Sequence, residues 1–258
     1  MRVQDMFNLN NQVAIVTGAG RGLGESMSYA LAEAGANIVI AELDIENARL
    51  VAEDINKMGK KALVIKTDVT KTESLEKMVK ATLKEFGRID ILVNNAGIPR
   101  TGKIPEELSK DDWGKVIDVN LNGVFYCSKI IGKQMILQKY GRIINISSMS
   151  GIIVNKERHV TDYCAAKGGV IMLTKALAAE WAKYNINVNA IAPGYFKTKM
   201  TEPAFSDPKI SKDMFDMTPM KRPGDVEELK GPVVFLASKA SSFITGHVLI
   251  VDGGYTIW

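Results

Sequence analysis

The chain has 258 residues, 46% apolar and 24% charged, which suits one large α/β domain or two small ones with a substantial core. A formal charge of +4 comes from scattered basic residues, and short pairs such as Lys60-Lys61 and Lys221-Arg222 argue against nucleic-acid binding. Cys127 and Cys164 lie outside any metal spacing, His159 and His247 lack ligand partners, and no apolar run approaches the ~18 residues of a membrane span, so no metal and no membrane are expected.

Residues 1–11 hold Arg2 and Asp5 and no apolar segment, so a signal peptide is not expected; reduced thiols then fit a cytoplasmic protein. Residues 12–17 form a short strand-type run that ends in Thr17-Gly18-Ala19-Gly20-Arg21-Gly22-Leu23-Gly24, and a helical pattern follows over 25–34. A glycine-rich turn between strand and helix lets backbone amides approach a phosphate, and the helix N-terminus adds positive dipole. The spacing is T-G-x-x-x-G-x-G, not G-x-G-x-x-G, and the strand-before, helix-after context favours a cofactor over a plain tight turn.

A second strand, 37–41, ends at Glu42-Leu43-Asp44. Glu42 lies 20 residues beyond Gly22, where a carboxylate accepts from the adenosine ribose hydroxyls. A solvated strand-end acid, or a helix cap at Asp44, is the plain alternative. An acid at this point repels a 2′-phosphate and favours NAD over NADP, whereas Arg21 in the glycine turn pulls the other way.

Helix 45–58, strand 62–67, helix 71–86 and strand 89–93 continue the alternation, which indicates a parallel sheet wound on both faces. Ligands of such sheets bind outside the carboxyl ends of the strands, where Gly18, Glu42, Asp68 and Asn94-Asn95-Ala96-Gly97 all fall. A helical stretch over 109–138 carries Asn120 among Val116, Ile117, Val119 and Leu121, either a hydrogen-bonded core amide or a site residue. Strand 141–146 delivers Ser147-Ser148 to the same edge, where a serine pair is otherwise a turn or cap.

Tyr163-Cys164-Ala165-Ala166-Lys167 opens a helical pattern running to about residue 184. Residues four apart share a helix face, so the Tyr163 phenol and the Lys167 ammonium can meet, and a fixed cation would lower the phenol pKa. Strand 186–192 ends in Pro193-Gly194-Tyr195-Phe196-Lys197-Thr198. Residues 199–224, with their prolines and scattered Met and Phe, read as a partly helical lid or as a surface excursion. Helix 225–237 and strand 248–251 close the sheet before Asp252-Gly253-Gly254.

Over nearly its whole length the chain resembles the short-chain dehydrogenase/reductase family, through T-G-x-x-x-G-x-G at 17–24, N-N-A-G at 94–97, the helix bearing Asn120, the serine strand end and Y-x-x-x-K at 163–167. The resemblance implies a single Rossmann-type domain spanning 1–258, a doubly wound parallel sheet of about seven strands with helices on both faces, and a lid at about 195–224. It implies a catalytic tetrad of Asn120, Ser148, Tyr163 and Lys167, Ser148 being preferred to Ser147 because it stands three residues before Gly151. Gly18, Arg21, Leu23 and Gly24 would line the pyrophosphate, with Asp68 and Val69 at the adenine. Asn95, Ala96 and Gly97 would lie along the cofactor, and Phe196 and Thr198 would hold the nicotinamide carboxamide. Tyr163 and Lys167 would touch the cofactor as well, and Asn120 would position a water linked to Lys167.

Ser148 and Tyr163 are 15 residues apart, a wider interval than is usual in the family, so the loop 154–162 reshapes the substrate side. The implied activity is NAD(P)-dependent interconversion of a secondary alcohol and a ketone. Segments 145–155, 180–195 and 231–238 are similar to the sugar, polyol and sugar-acid branch, of gluconate 5-dehydrogenase type. A 3-oxoacyl-[acyl-carrier-protein] reductase is the runner-up, and a catalytically silent nucleotide sensor or scaffold is the non-enzyme alternative. A small-molecule alcohol or ketone and a homotetramer are the implied partners.

Overall fold

The computed structural model describes residues 2–155 and 158–258. Seven parallel strands form one sheet: β1 Val13–Thr17, β2 Asn37–Glu42, β3 Ala62–Lys66, β4 Ile91–Asn94, β5 Gly141–Ile146, β6 Ile186–Pro193 and β7 Val248–Val251. Ten α-helices accompany them among the described residues: α1 Val3–Met6, α2 Gly22–Glu33, α3 Ile45–Lys57, α4 Thr72–Phe86, α5 Lys110–Ile117, α6 Gly123–Gln138, α7 Thr161–Trp181, α8 Glu202–Ser206, α9 Pro208–Asp216 and α10 Lys230–Ala237.

The central strands are buried on both faces, which is why β1 and β4 read as apolar runs without alternation, while β5 and β6 bury Arg142, Asn145, Asn187 and Asn189 among apolar neighbours. Alternation shows in which layer each residue meets. Ile38 and Ile40 of β2 pack with Met27, Leu31, Ile55 and Leu236 beneath α2, α3 and α10. Val39 and Ala41 pack with Leu75, Met78, Ile131 and Leu177 beneath α4, α6 and α7. The sheet is thus a three-layer sandwich with a core on each side.

The strand order is β3-β2-β1-β4-β5-β6-β7, so the chain reverses its direction of travel across the sheet between β1 and β4. The loops leaving β1 and β4 diverge to opposite faces there and open a crevice at their carboxyl ends. The expected alternation and strand count hold. Three local features differ from expectation. The helix over 109–138 contains a π-helical segment, Asp118–Asn122, between α5 and α6. The helix expected from 225 begins as a 3-10 turn, Val226–Leu229, and α7 starts two residues before Tyr163. The lid segment holds two short helices, α8 and α9.

Candidate active site

The glycine turn is built by steric exclusion. A Cβ on Gly24 would lie 2.2 Å from the Gly18 carbonyl oxygen, and one on Gly18 would lie 2.9 Å from the Ala96 Cα. Gly18 and Gly22 also adopt φ of +64° and +61°, where a side chain is strained. Asn95 staples this turn to the loop after β4, its Nδ2 donating to the Thr17 and Gly18 carbonyls at 3.0 and 2.8 Å. The Thr17 hydroxyl accepts from the Asn95 and Ala96 amides at 3.0 Å each. Arg21 precedes α2 without a side-chain cap, so the first-turn amides of Gly22, Leu23 and Gly24 face outward with the helix dipole behind them. That cradle, narrow because any Cβ would fill it, fits the pyrophosphate of a dinucleotide.

At the end of β2, Glu42 Oε2 accepts from the Gly20 amide at 3.0 Å and Oε1 from the Leu43 amide at 2.7 Å. A fixed carboxylate therefore stands beside the cradle. Asp44 caps α3, as its plainer reading had it. Asp68 is half engaged: its Oδ1 accepts from the Thr70 amide and hydroxyl at 2.9 and 2.7 Å. Val69 is buried against Gly123. Across the crevice, Phe196 is buried and bridges to Gly224, while the Thr198 side chain lies 3.7 Å from the Cβ position of Gly22. The root of the lid thus sits directly over the glycine turn.

Ser148, Tyr163 and Lys167 meet at the ends of β5 and α7. Ser147 donates its hydroxyl to the Lys167 carbonyl at 2.9 Å, and Gly151 packs so close to Lys167 that a Cβ would lie 2.7 Å from its carbonyl. This locks the strand end to the helix and sets the Ser148 hydroxyl beside the Tyr163 phenol, where it favours the phenolate. Lys167 is buried and donates its ammonium to the Ile146 carbonyl at 2.8 Å.

Asn120, in the π-helical segment, is fully buried. Its Oδ1 accepts from the Ile98 amide and its Nδ2 donates to the Ile98 carbonyl, both at 2.9 Å. The carboxamide is therefore spent on the backbone after Gly97, whose Cβ position lies 2.8 Å from Asn120 Oδ1 and 3.8 Å from Lys167 Nζ. Both ends of the carboxamide thus pin the N-N-A-G turn.

The electrostatics also differ from expectation. Burial pushes the Tyr163 phenol up to about 12, opposed by the neighbouring Ser148 hydroxyl and then by the Arg100 charge. Burial likewise pulls Lys167 down to about 8. Desolvation sets both directions because both groups lie away from water, and the charge that opposes it at Tyr163 is that of Arg100.

Several residues around this centre carry no sequence signal. Asp162 accepts from the Thr101 amide and hydroxyl at 3.0 and 2.9 Å, joining the loop after β4 to α7. Arg100 Nε donates to the Arg158 carbonyl at 2.9 Å, and Arg158 Nη2 donates to the Ile210 carbonyl of α9 at 3.2 Å. Asn155 donates to the Tyr195 hydroxyl at 2.9 Å. Within the loop 154–162, Lys156 and Glu157 lie outside the described residues.

Comparison with known proteins adds an independent line. A family model described as Enoyl-(Acyl carrier protein) reductase matches residues 18–256. The NAD-dependent glycerol dehydrogenase of Listeria innocua is 40% identical, over 97% of this chain and 96% of that protein. The 2-dehydro-3-deoxy-D-gluconate 5-dehydrogenase of Dickeya dadantii is 40% identical, over 98% of each. The crystal structure of a gluconate 5-dehydrogenase from Burkholderia cenocepacia in complex with NADP and tartrate superposes with a TM-score of 0.95 at 39% identity, covering 100% of both chains.

Proposed function

The chain belongs to the short-chain dehydrogenase/reductase family and is an oxidoreductase of CH–OH groups, and we propose that its substrate is a sugar, polyol or sugar acid interconverted between secondary alcohol and ketone. The observation that carries this reading is the meeting of Ser148 with Tyr163 beside an open, glycine-lined cradle at the sheet switch point.

NAD(P) in the cradle would supply the hydride acceptor for oxidation and the donor for reduction. Gly18, Arg21, Leu23 and Gly24 would hold its pyrophosphate, Asp68 and Val69 its adenine, and Asn95, Ala96 and Gly97 its length. Phe196 and Thr198 would hold the carboxamide, and Lys167 the nicotinamide ribose. Glu42 would take the adenosine ribose hydroxyls, which supports NAD over NADP. The name of the Listeria innocua relative agrees, while the NADP in the Burkholderia cenocepacia structure marks the opposing possibility.

In oxidation, Ser148 donates to the substrate oxygen and steadies the charge that develops on it. Tyr163 Oη receives the alcohol proton, and in reduction returns it. Lys167 holds positive charge near the phenol while its own ammonium stays anchored on Ile146. Asn120 keeps the N-N-A-G turn in place through Ile98.

Arg100 and Arg158 supply two guanidinium groups on the substrate side, which suits a carboxylate at the far end of a sugar acid. The lid helices α8 and α9 would close over this end, and assembly as a homotetramer accords with the family. A 3-oxoacyl-[acyl-carrier-protein] reductase is the second reading; the matching family model's description names an acyl-carrier-protein reductase of the enoyl kind.

Initial rates with NAD and NADP over aldonates, polyols, their ketoses and an acetoacetyl thioester test the proposal. Fastest turnover on an aldonate or polyol is expected. Turnover of the thioester alone would replace it with the carrier-protein reading, and coenzyme binding without hydride transfer would indicate a sensor.

A further inference from the structure

A string of buried polar side chains runs from the C-terminal segment to Ser148. Asn155, Ser150 and Ser148 are 4%, 8% and 9% exposed, so each is held by its partners and hardly by water. Tyr255 is buried and meets Tyr195 edge-on, with ring centroids 5.5 Å apart. Asn155 Nδ2 donates to the Tyr195 hydroxyl at 2.9 Å. Its Oδ1 then accepts from the Ser150 hydroxyl at 2.5 Å. Ser150 sits in the 3-10 turn Met149–Gly151, and its backbone amide donates to Ser148 Oγ at 3.1 Å.

The direction of these bonds matters. Ser148 Oγ accepts from the Ser150 amide, and its own proton can turn toward the Tyr163 phenol beside it. A Ser148 that donates lowers the cost of a phenolate and stabilises negative charge on a substrate oxygen. Were Ser150 free to swing its hydroxyl onto Ser148, a second donor would compete and the turn would lose its register.

We propose that Asn155 is a positioning residue for the reaction: by taking the Ser150 hydroxyl, it holds the 3-10 turn so that the Ser150 amide keeps Ser148 as a donor toward Tyr163 and substrate. Tyr195, braced by Tyr255, supplies the far anchor of the carboxamide. The inference rests on Ser148 and Tyr163 being the reacting pair. It gives the long Ser148-to-Tyr163 connection a task, since Asn155 lies within it.

The test is steady-state kinetics of Asn155→Ala, Ser150→Ala and Ser148→Ala, singly and in pairs, on the best substrate of the panel. Asn155→Ala is expected to lower kcat about tenfold at unchanged coenzyme KM, and to move the pH limb of alcohol oxidation to higher pH. Ser150→Ala, the milder change if Asn155→Ala folds poorly, is expected to do the same, and the two losses should not multiply. In a Ser148→Ala background, Asn155→Ala should cost nothing further. An Asn155→Ala enzyme with the native kcat and pH limb overturns the inference, as does an equal loss with and without Ser148. A Ser148→Ala enzyme working at full rate would instead overturn the reading beneath it.

Discussion

Lys167 carries its ammonium 5.6 Å from the centre of the Tyr163 ring, yet its hydrogen bond goes to the Ile146 carbonyl at 2.8 Å. With burial holding Tyr163 at about 12, alcohol oxidation needs a proton removed from a reluctant phenol. Rates of oxidation should therefore climb with pH between about 6 and 8, where Lys167 keeps its charge, while ketone reduction, which uses the protonated phenol, stays flat over that range. Tyr163→Phe should lose about a thousandfold in kcat with coenzyme affinity retained, as read by steady-state rates and fluorescence titration.

The same burial makes Lys167 a pH-dependent burden on the fold. Its folded pKa of about 8 lies below the ordinary 10.5, so between those values the unfolded chain binds more protons. Stability then rises with pH across that window, by up to about 3 kcal/mol, and the penalty is complete below it. Urea denaturation of the native protein and Lys167→Met at pH 7.5 and pH 10 should show the native protein gaining on the variant as pH rises. Parallel pH dependences would refute the assignment.

Glu42 is held by the Gly20 and Leu43 amides, so its charge cannot easily turn aside for a phosphate. Glu42→Ala should weaken NAD and admit NADP, changing the ratio of their kcat/KM values by about a hundredfold. A native preference for NADP in the same assay would contradict the reading of this carboxylate.

Two glycines in helices should respond in opposite senses to the same methyl. Gly24→Ala places its Cβ 2.2 Å from the Gly18 carbonyl oxygen and should cost about 2 kcal/mol along with coenzyme binding. Gly231→Ala in α10 meets nothing within 4 Å and should gain about 0.5 kcal/mol. Thermal unfolding with and without coenzyme reads both.

Arg158 donates to the lid at Ile210 and accepts from Arg100 through its carbonyl, so its guanidinium is held over the substrate side. Arg158→Ala should raise KM for an aldonate about tenfold and leave a neutral polyol nearly unchanged. Equal effects on both would assign Arg158 to the lid alone.

The scaffold was legible because its signals are local. Strands β1 and β4 are apolar up to their last residue, and glycine punctuates the β1 turn where only glycine fits. The pairing of Ser148 with Tyr163 was legible only through the family resemblance. The π-helical segment at Asp118–Asn122 was not, because one wide turn within a continuous helix has no turn residue to mark it. Arg100, Asn155, Arg158 and Asp162 were equally silent. Their partners lie far away in the chain, as when Asn155 meets Tyr195 or Arg158 meets Ile210.

What the sequence determined by itself was the order of strands and helices, the parallel sheet and the edge on which the glycine turn, Glu42 and the serine pair would gather. Period and turn chemistry are encoded within a few residues, so no long-range contact is needed to read them. What only the tertiary structure decided was how the polar groups at that edge are spent. Burial, set by the packing of α7 on β5 and β6, moves Tyr163 and Lys167 in directions that their spacing on one helix does not reveal. Asn120 turned out to hold Ile98, because a fully buried carboxamide takes whichever backbone partners the folded chain brings to it.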